Sequence, residues 1–369
     1  MAQLSPRVQA LLQPHLRALD VYDPNFTPTR VNLSANENTY DVPPAPRAAI
    51  DAALAATRTN RYPDPLSNDL RDALAAWHGV GRESVIVGNG GDELLFNFLL
   101  AFGGPGRVLV NVPPTFSEYA FFASITQTEV VDVWRDPRTF LPDVAALVEA
   151  ARTANLVVLT SPNNPTGDVA SLDLVREVCD ACPGLVMVDE AYGEFAEPGT
   201  SAEPLLPDHD NLVVLHTLSK AFALAGARCG YVIAAPDVAA AFGAVRQIYS
   251  VNVLTQAAAL AAVTHRDEFS PTVERIRSER ARLLASLRVL AERLPVTVWP
   301  SEGNFVLLRV PGASRVRNRL RDEFSILVRD FSYAPGLGDC LRVTVGTPEE
   351  NDAVLEALSI LIPEEAAHA

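Results

Sequence analysis

The chain has 369 residues, of which 48% are hydrophobic and 20% are charged; this composition excludes disordered, collagenous and coiled-coil proteins. Because 45 acidic residues outnumber 30 basic ones, the formal net charge is −15, and nucleic acid is not an expected partner. No apolar run reaches the roughly 18 residues of a membrane helix. Four cysteines and no recognisable signal peptide favour the cytoplasm.

In chain order, the first region is residues 1–40, where scattered prolines and little periodicity predict an extended N-terminal arm. From residue 41 to 250, short β-branched runs alternate with helical patterns. This alternation predicts an α/β fold, a large domain with a mostly parallel sheet between layers of helices. The predicted strands are Ser84–Val87, Arg107–Val112, Leu156–Thr160, Leu185–Val188, Leu212–Thr217 and Tyr231–Ala234.

Residues 251–369 have a different pattern, which predicts a smaller α/β C-terminal domain. Two long helical patterns come first, Leu254–Val263 and Glu268–Arg293. Separated strands and a final helix from Pro348 to about Leu361 follow them. The strands are predicted at Phe305–Arg309, Ile326–Arg329 and Leu341–Val345, with a helix at Ser314–Glu323 between the first two.

Ligands in open α/β sheets gather beyond the carboxyl ends of the strands, so the residues after each strand are the candidates for a site. The first strand is followed by Gly88-Asn89-Gly90-Gly91-Asp92-Glu93 and then a helix. Such a loop suits a phosphate at the helix N-terminus, and it equally suits a tight turn capped by Asp92. A dinucleotide is disfavoured because Glu93 replaces the third glycine of the usual pattern.

Polar residues also follow the next strands. Asn164 lies in a stiff turn, Ser161–Gly167, and its amide can point into the crevice, although turn chemistry alone explains the composition. Asp189 ends a strand and Tyr192 follows three residues later. These two side chains either face one ligand or form an ordinary structural pair.

Lys220 is the only lysine of the chain and follows the strand Leu212–Thr217. An apolar neighbourhood lowers the pKa of an amine and makes it nucleophilic. Arginine occupies every other basic position, and a guanidinium cannot lose its proton. We therefore predict a chemical role for Lys220 rather than that of a solvated loop residue.

Together these strand ends supply an anion cup, an amide, an acid with a phenol, and a lysine, which are the groups that pyridoxal phosphate needs. Nine segments of the chain, in the same order, resemble motifs of the fold-type I pyridoxal-phosphate-dependent transferases (class I/II aminotransferases). The resemblance is closest to their histidinol-phosphate aminotransferase branch. The matching segments are SANENTY (34–40), RYPDP (61–65), GNGGDEL (88–94), PPTFSEY (113–119), SPNNPTG (161–167), DEAYGEF (189–195), TLSKAFALAGARCGY (217–231), SEGNFVLLR (301–309) and LRVTVGTPEEN (341–351).

This resemblance implies the role of each site residue. Lys220 would carry the cofactor as an imine and then move a proton. Asp189 would hold the ring nitrogen protonated, and Asn164 and Tyr192 would bond the ring oxygen. The remaining cofactor contacts implied are the phosphate ligands Ser219, Arg228, Gly91 and Asp92, the stacking ring Phe116 in place of a more usual tyrosine, and Tyr62 from a partner subunit in a homodimer.

The resemblance also implies an amino donor and a 2-oxo acid acceptor as substrates. Arg329 and Arg342 match two anion-binding arginines, although surface charges are the alternative for both. Tyr22 and Asn36 are weaker candidates for the same pocket. The rival activities are an aromatic or other aminotransferase and threonine-phosphate decarboxylase, and the rival from another class is a regulatory protein built on an aminotransferase domain.

The pair Cys179 and Cys182 has CxxC spacing, but it ends a helical pattern and no second Cys or His pair lies nearby. We therefore expect ordinary helix residues here, and we predict no metal site.

Overall fold

The computed structural model describes residues 4–17 and 27–367. Strands and helices alternate through most of this length. The strands are β1 (Val31–Leu33), β2 (Val85–Gly88), β3 (Val108–Asn111), β4 (Glu129–Asp132), β5 (Leu156–Thr160), β6 (Leu185–Asp189), β7 (Leu212–Thr217), β8 (Gly230–Ala234), β9 (Thr297–Val298), β10 (Phe305–Arg309), β11 (Ile326–Asp330) and β12 (Cys340–Thr344). The α-helices are α1 (Pro6–Leu11), α2 (Pro44–Ala56), α3 (Asn68–His78), α4 (Gly91–Phe102), α5 (Glu118–Thr126), α6 (Val144–Ala151), α7 (Leu172–Ala181), α8 (Pro236–Val245), α9 (Val253–Thr264), α10 (Ser270–Ala291), α11 (Ala313–Phe324) and α12 (Pro348–Ala366).

Seven of the strands form one large sheet in the order β2-β8-β7-β6-β5-β3-β4. Strands β7, β6, β5, β3 and β4 run parallel, and only β8 runs against its two neighbours β2 and β7. The predicted α/β fold with a mostly parallel sheet is therefore confirmed. Parallel strands end at one edge, which brings the loops after β5, β6 and β7 together.

The central strands form where the sequence has uninterrupted apolar, largely β-branched runs. Every residue of β5 and β7 is buried, as a strand covered on both faces requires. Helices α4, α5 and α8 pack on one face of the sheet, and α6 and α7 pack on the other. The prediction gave β5 and β7 their observed bounds and placed the other central strands within one or two residues.

Several features differ from the sequence prediction. Residues Pro6–Leu11 of the predicted extended arm form the helix α1, with Ser5 as its N-cap. The edge strand β4 was not predicted, because it is largely exposed and begins and ends with the acidic residues Glu129 and Asp132. The helix predicted from Glu268 begins instead as a 3-10 turn, Arg266–Phe269, followed by α10. Helix α12 continues beyond Leu361 through Pro363, since Ile362 remains buried against the core.

The other five strands form a second sheet in the order β1-β11-β12-β10-β9. Strand β1 pairs in parallel with β11, with Val31 opposite Ile326, so a segment of the predicted arm is an edge strand of the C-terminal sheet. The division into an arm, a large domain at 41–250 and a small domain at 251–369 stays a prediction. Among the described residues, no helix is long and apolar enough to cross a membrane.

Candidate active site

A cavity of about 500 Å³ lies beyond the carboxyl ends of the central strands, between the two sheets. The large sheet and its loops contribute most of the wall, and β11 and β12 close the remaining side. The predicted site residues that line the cavity are Gly91, Asp92, Phe116, Asn164, Asp189, Tyr192, Ser219, Lys220, Arg228, Arg329 and Arg342. Residues from seven sequence segments thus meet at one place.

Lys220 points its amine into this cavity from the loop after β7. The Nζ atom donates a hydrogen bond to the backbone oxygen of Ala35, at 3.0 Å, and lies 5.8 Å from the centre of the Tyr192 ring. Burial lowers the pKa of the Lys220 amine to about 8, and the nearby positive charge of Arg342 acts in the same direction. The amine is therefore easier to deprotonate than an ordinary lysine, as a nucleophile or proton carrier requires.

Asp189 ends β6 with a buried carboxylate. Its Oδ1 accepts a hydrogen bond from the backbone N–H of Ala191 at 3.0 Å, and its Oδ2 accepts one from the hydroxyl of Tyr119 at 2.6 Å. Both donors are neutral. Burial raises the pKa of Asp189, and a cationic N–H group in the cavity would favour its ionised form.

The glycine-rich loop meets the Arg228 side chain at the N-terminus of α4. Gly90 has φ +84°, which strains any residue with a side chain, and a Cβ there would lie 2.6 Å from the Arg228 Nη2 atom and displace the guanidinium. No side chain caps α4, which leaves its first N–H groups available to an anion. Arg228 Nη2 donates to Asp92 at 2.9 Å, and Nη1 lies 3.5 Å from the Ser219 hydroxyl.

A hydrogen-bond network links the two sheets beside the lysine. Arg342 Nη1 donates to Asn164 Oδ1 at 2.6 Å, and the Asn164 amide lies 3.4 Å from the Tyr192 hydroxyl. Asn36, fully buried behind Tyr192, donates to the same hydroxyl at 3.1 Å. Asn36 is not among the cavity-lining residues, so it supports Tyr192 from behind.

Arg329 and Arg342 are opposite each other on the antiparallel strands β11 and β12. Directly opposed residues of such a pair share one face of the sheet, which brings two like charges together. Arg342 is buried, and its guanidinium carbon lies 5.6 Å and 5.4 Å from the ring centres of Phe305 and Phe331. Two guanidinium groups on one wall can bind a carboxylate or phosphate bidentately.

The comparison with known proteins agrees with this geometry. The family Aminotransferase class I and II matches residues 28–358. The chain belongs to this family. It is 42% identical to the histidinol-phosphate aminotransferase of Paenarthrobacter aurescens, over 97% of this chain and 96% of that one. Its identity to the enzyme of that name from Roseiflexus castenholzii is 40%, over 95% and 98% of the two chains.

A solved structure of high similarity is the histidinol-phosphate aminotransferase of Sinorhizobium meliloti in complex with pyridoxal-5'-phosphate. Its TM-score with this aminotransferase is 0.87 and its sequence identity is 26%, over 98% of this chain and 99% of that one. The family uses pyridoxal phosphate, and the cavity fits that cofactor. A buried carboxylate with only neutral donors suits a protonated ring nitrogen, and an uncapped helix N-terminus beside Arg228 suits a phosphate.

Aromatic rings form much of the remaining wall of the aminotransferase cavity. Phe116 packs edge-on against Tyr119 at 5.6 Å. Trp134, Phe331 and Tyr333 also line the cavity, and the sequence analysis did not single them out. Trp134 follows the unpredicted strand β4, and Tyr119 lies in the PPTFSEY segment, three residues after Phe116.

Three of the predicted residues are outside the cavity or cannot be located, and Asn36, buried behind Tyr192, is the first of them. Tyr62 is 82% exposed and stacks on Tyr249 with ring centres 4.6 Å apart. Tyr22 lies outside the described residues. Cys179 and Cys182 are buried, and burial raises the pKa of Cys179 to about 12, so this thiol is not a ready nucleophile.

Proposed function

We propose that this chain is a histidinol-phosphate aminotransferase that depends on pyridoxal phosphate. In this reaction L-histidinol phosphate and 2-oxoglutarate give imidazole acetol phosphate and L-glutamate, a step of histidine biosynthesis. The names of the relatives at 42% and 40% identity over nearly the whole chain support the activity. The observation that carries the choice of substrate is the pair Arg329 and Arg342 on one wall of the cavity.

The cofactor is assigned to the residues already described. Lys220 would carry it, Asp189 would bond the ring nitrogen, and Asn164 and Tyr192 would bond the ring oxygen. Its phosphate would bind to Ser219, Arg228 and the N–H groups of Gly91 and Asp92, and Phe116 would cover the ring. When bound, the cofactor supplies a carbonyl carbon for the amine and an aromatic ring that accepts electrons.

The protein residues then have three tasks. Lys220 would move a proton between the substrate Cα and the C4′ carbon of the cofactor, and its lowered pKa supports this role. Asp189 would stabilise positive charge at the ring nitrogen. Tyr192, held by Asn36 and near Asn164, would donate to the ring oxygen.

The two arginines would hold the anionic group of each substrate in turn. A chain of net charge −15 repels anions at long range, so a phosphorylated donor needs close charge-assisted hydrogen bonds. Arg342 and Arg329 can supply such bonds to the phosphate of histidinol phosphate and to a carboxylate of glutamate. Tyr22 remains a prediction as a further group of this pocket, and we propose that Asn36 acts on it through its hydrogen bond to Tyr192.

We also propose that the protein is a homodimer in which the two subunits share each active site. We propose the cytoplasm as its location. Tyr62, Leu66 and Ile248 expose 82%, 48% and 73% of their surfaces, which is typical of an interaction surface. Tyr62 would then reach the cofactor phosphate of the partner subunit, since it does not line the cavity of its own chain. The molar mass of the wild type in solution tests the dimer, and we expect twice the mass of one chain. The Tyr62→Ala variant, measured in the same way, tests the contribution of Tyr62 to the interface.

The experiment that tests the function is a single-turnover panel with the cofactor-loaded protein. The donors are histidinol phosphate, histidinol, phenylalanine, leucine and threonine phosphate, each scored for conversion of the cofactor to its amine form. We expect the kcat/KM for histidinol phosphate to be at least about a hundredfold above that for histidinol. This ratio corresponds to roughly 2.7 kcal/mol of differential binding free energy, contributed by the contacts of the two arginines with the phosphate. Arg342→Lys should reduce this preference, because a point charge cannot replace the planar fork.

Other results would select one of the rivals. Equal use of histidinol and its phosphate, or faster use of phenylalanine, contradicts the proposal and favours a general aminotransferase. Release of carbon dioxide from threonine phosphate without amine formation on the cofactor favours the decarboxylase. A protein that turns over no donor and shows no absorbance change with glutamate favours the regulatory alternative.

A further inference from the structure

The buried hydroxyl of Tyr119 lies between two polar groups under the sheet. Tyr119 comes from α5 and is 1% exposed. Its Oη is 2.6 Å from Asp189 Oδ2 and 2.7 Å from Thr160 Oγ1. Tyr119 therefore contacts the acid at the centre of the proposed site.

The direction of these hydrogen bonds depends on the charge of Asp189. An ionised carboxylate can only accept, so Tyr119 must give its one proton to Asp189, and Thr160 must then donate to Tyr119. Thr160 is in turn 3.1 Å from the Thr115 hydroxyl, which donates to Asn163 at 2.6 Å. Thr115 and Thr160 each have one hydroxyl proton, and they give it to Asn163 and Tyr119, so Thr115 is not part of the line. The hydrogen bonds that end on the carboxylate run from Thr160 to Tyr119 to Asp189, and they favour its negative charge.

The other charged groups around Asp189 act in opposite directions. Burial raises the pKa of Asp189 most, and the Asp92 carboxylate raises it further. The Tyr119 hydrogen bond, the Ala191 N–H and the charge of His216 lower it. Of these, only the Tyr119 bond comes from a side chain in direct contact.

We propose that Tyr119 is a positioning residue that keeps Asp189 ionised and fixes the direction of its carboxylate toward the bound cofactor ring. This inference rests on the proposed function of the site. The carboxylate has two oxygens, and the N–H of Ala191 occupies one. The Tyr119 bond to the second oxygen prevents rotation of the carboxylate about its Cβ–Cγ bond.

The test is Tyr119→Phe in the cofactor-loaded protein. The ring that fills the space under the sheet is kept, and only the hydroxyl is lost. We expect kcat to fall about tenfold or more, the effect of losing one charge-assisted hydrogen bond, with KM changed less than kcat. The acid limb of the kcat–pH profile should move toward neutral pH, and the cofactor should dissociate more readily in a direct binding titration.

Tyr231→Phe is the matched control. Tyr231 is also fully buried, and its hydroxyl contacts His78 at 2.9 Å on the other side of the sheet. It should lose stability while the pH profile and the cofactor dissociation constant stay those of the wild type. If Tyr119→Phe behaves in the same way as Tyr231→Phe, the role of Tyr119 is structural and the inference is wrong.

Thr160→Val gives a second, independent variant if Tyr119→Phe does not fold. It retains the tyrosine but removes the donor that orients its hydroxyl, so the acid limb should move in the same direction by a smaller amount. An unchanged profile contradicts the inference. A wild-type protein that does not bind the cofactor through Lys220 contradicts the proposed function instead, which separates the two failures.

Discussion

Strands β6 and β7 carry two different sets of polar groups, one on each face of the large sheet. Asp189 and Thr217 line the cavity. Their chain neighbours Glu190 and His216 point to the opposite side, because side chains alternate along a strand. Together with His78 and Glu203, Glu190 and His216 form what we name the rear cluster.

The rear cluster combines one ion pair, between His216 and Glu203, with hydrogen bonds, since burial lowers the pKa of His78, the second imidazole beside Glu203. The Glu203 carboxylate lies between two imidazoles, 2.7 Å from His78 Nδ1 and 3.0 Å from His216 Nε2. Glu190 accepts hydrogen bonds from the backbone N–H of Ala202 and the Ser201 hydroxyl, at 2.6 Å and 2.7 Å. The carboxylates of Glu203 and Glu190 raise the pKa of buried His216 to about 9, although burial alone would lower it.

The cavity face is organised differently. The Asp189 carboxylate accepts from two neutral donors, the Tyr119 hydroxyl and the backbone N–H of Ala191. A buried charge that is matched by a neighbour is costly to leave without that neighbour, whereas a buried carboxylate that is bonded only by neutral groups is suited to a charged ligand. We infer that the rear cluster stabilises the protein and that the cavity face performs the chemistry.

The largest expected difference between the faces concerns Lys220→Ala. Turnover should fall by at least about a thousandfold, since the chain loses its only lysine and with it the proton carrier. The unfolding midpoint should change little, because the amine makes a single hydrogen bond to a backbone oxygen. Steady-state kinetics and thermal unfolding of the same samples measure both effects.

Borohydride reduction of the wild type provides the matching chemical control. The cofactor should become fixed to the peptide that contains Lys220. Attachment only at the α-amino group, or no attachment, would show that the assignment of Lys220 is wrong.

On the rear face, Glu203→Gln should have the opposite signature. Removing one charge of a buried network costs about 3 kcal/mol or more of unfolding free energy, and here it leaves two imidazoles without their carboxylate. The kcat of the folded fraction should remain within a few-fold of wild type. Denaturant unfolding and active-site titration measure the two quantities, and a large kcat loss without destabilisation would contradict the division of the faces.

A smaller effect follows from the raised pKa of His216. Its charged form is favoured in the folded protein, so this stabilisation is fully present below about pH 6.5. It is lost as the pH rises toward 9. Between pH 7 and pH 9 the melting temperature should fall by about 2–4 °C, and His216→Gln should remove most of that slope. An equal slope in the variant would assign the pH dependence to other groups.

The sequence predicted the cavity face far better than the rear face, for a physical reason. Lys220, Asp189 and Asn164 lie at or just after the carboxyl ends of parallel strands. Because these ends lie at one edge of the sheet, the position of each residue after an apolar run predicts that the three are close together. His216 is one polar residue inside an apolar run, and its partners His78 and Glu203 are distant in sequence. No local pattern brings these three together.

The fold shows the same division. Strand β5 was predicted with its observed bounds because both of its faces are buried. Strand β4 is exposed at the edge of the sheet and carries acidic residues. It therefore lacks the continuous apolar run from which the other strands were predicted. Tyr119 was missed because its hydrogen bond to Asp189 joins residues far apart in the sequence, and it forms only when α5 packs against the sheet.

The most direct test compares two neighbouring residues, Asp189→Asn and Glu190→Gln. Each replaces a carboxylate by an amide of the same size, on opposite faces of one strand. Asp189→Asn should lower kcat with histidinol phosphate at least about a hundredfold and leave the unfolding midpoint nearly unchanged. Glu190→Gln should cost about 1–2 kcal/mol of stability, because it removes a negative charge that favours the charged form of His216, and it should leave kcat within a few-fold of wild type. If Asp189→Asn retains wild-type turnover, or if both variants lose activity equally, the cavity face is not the chemical face and the account is wrong.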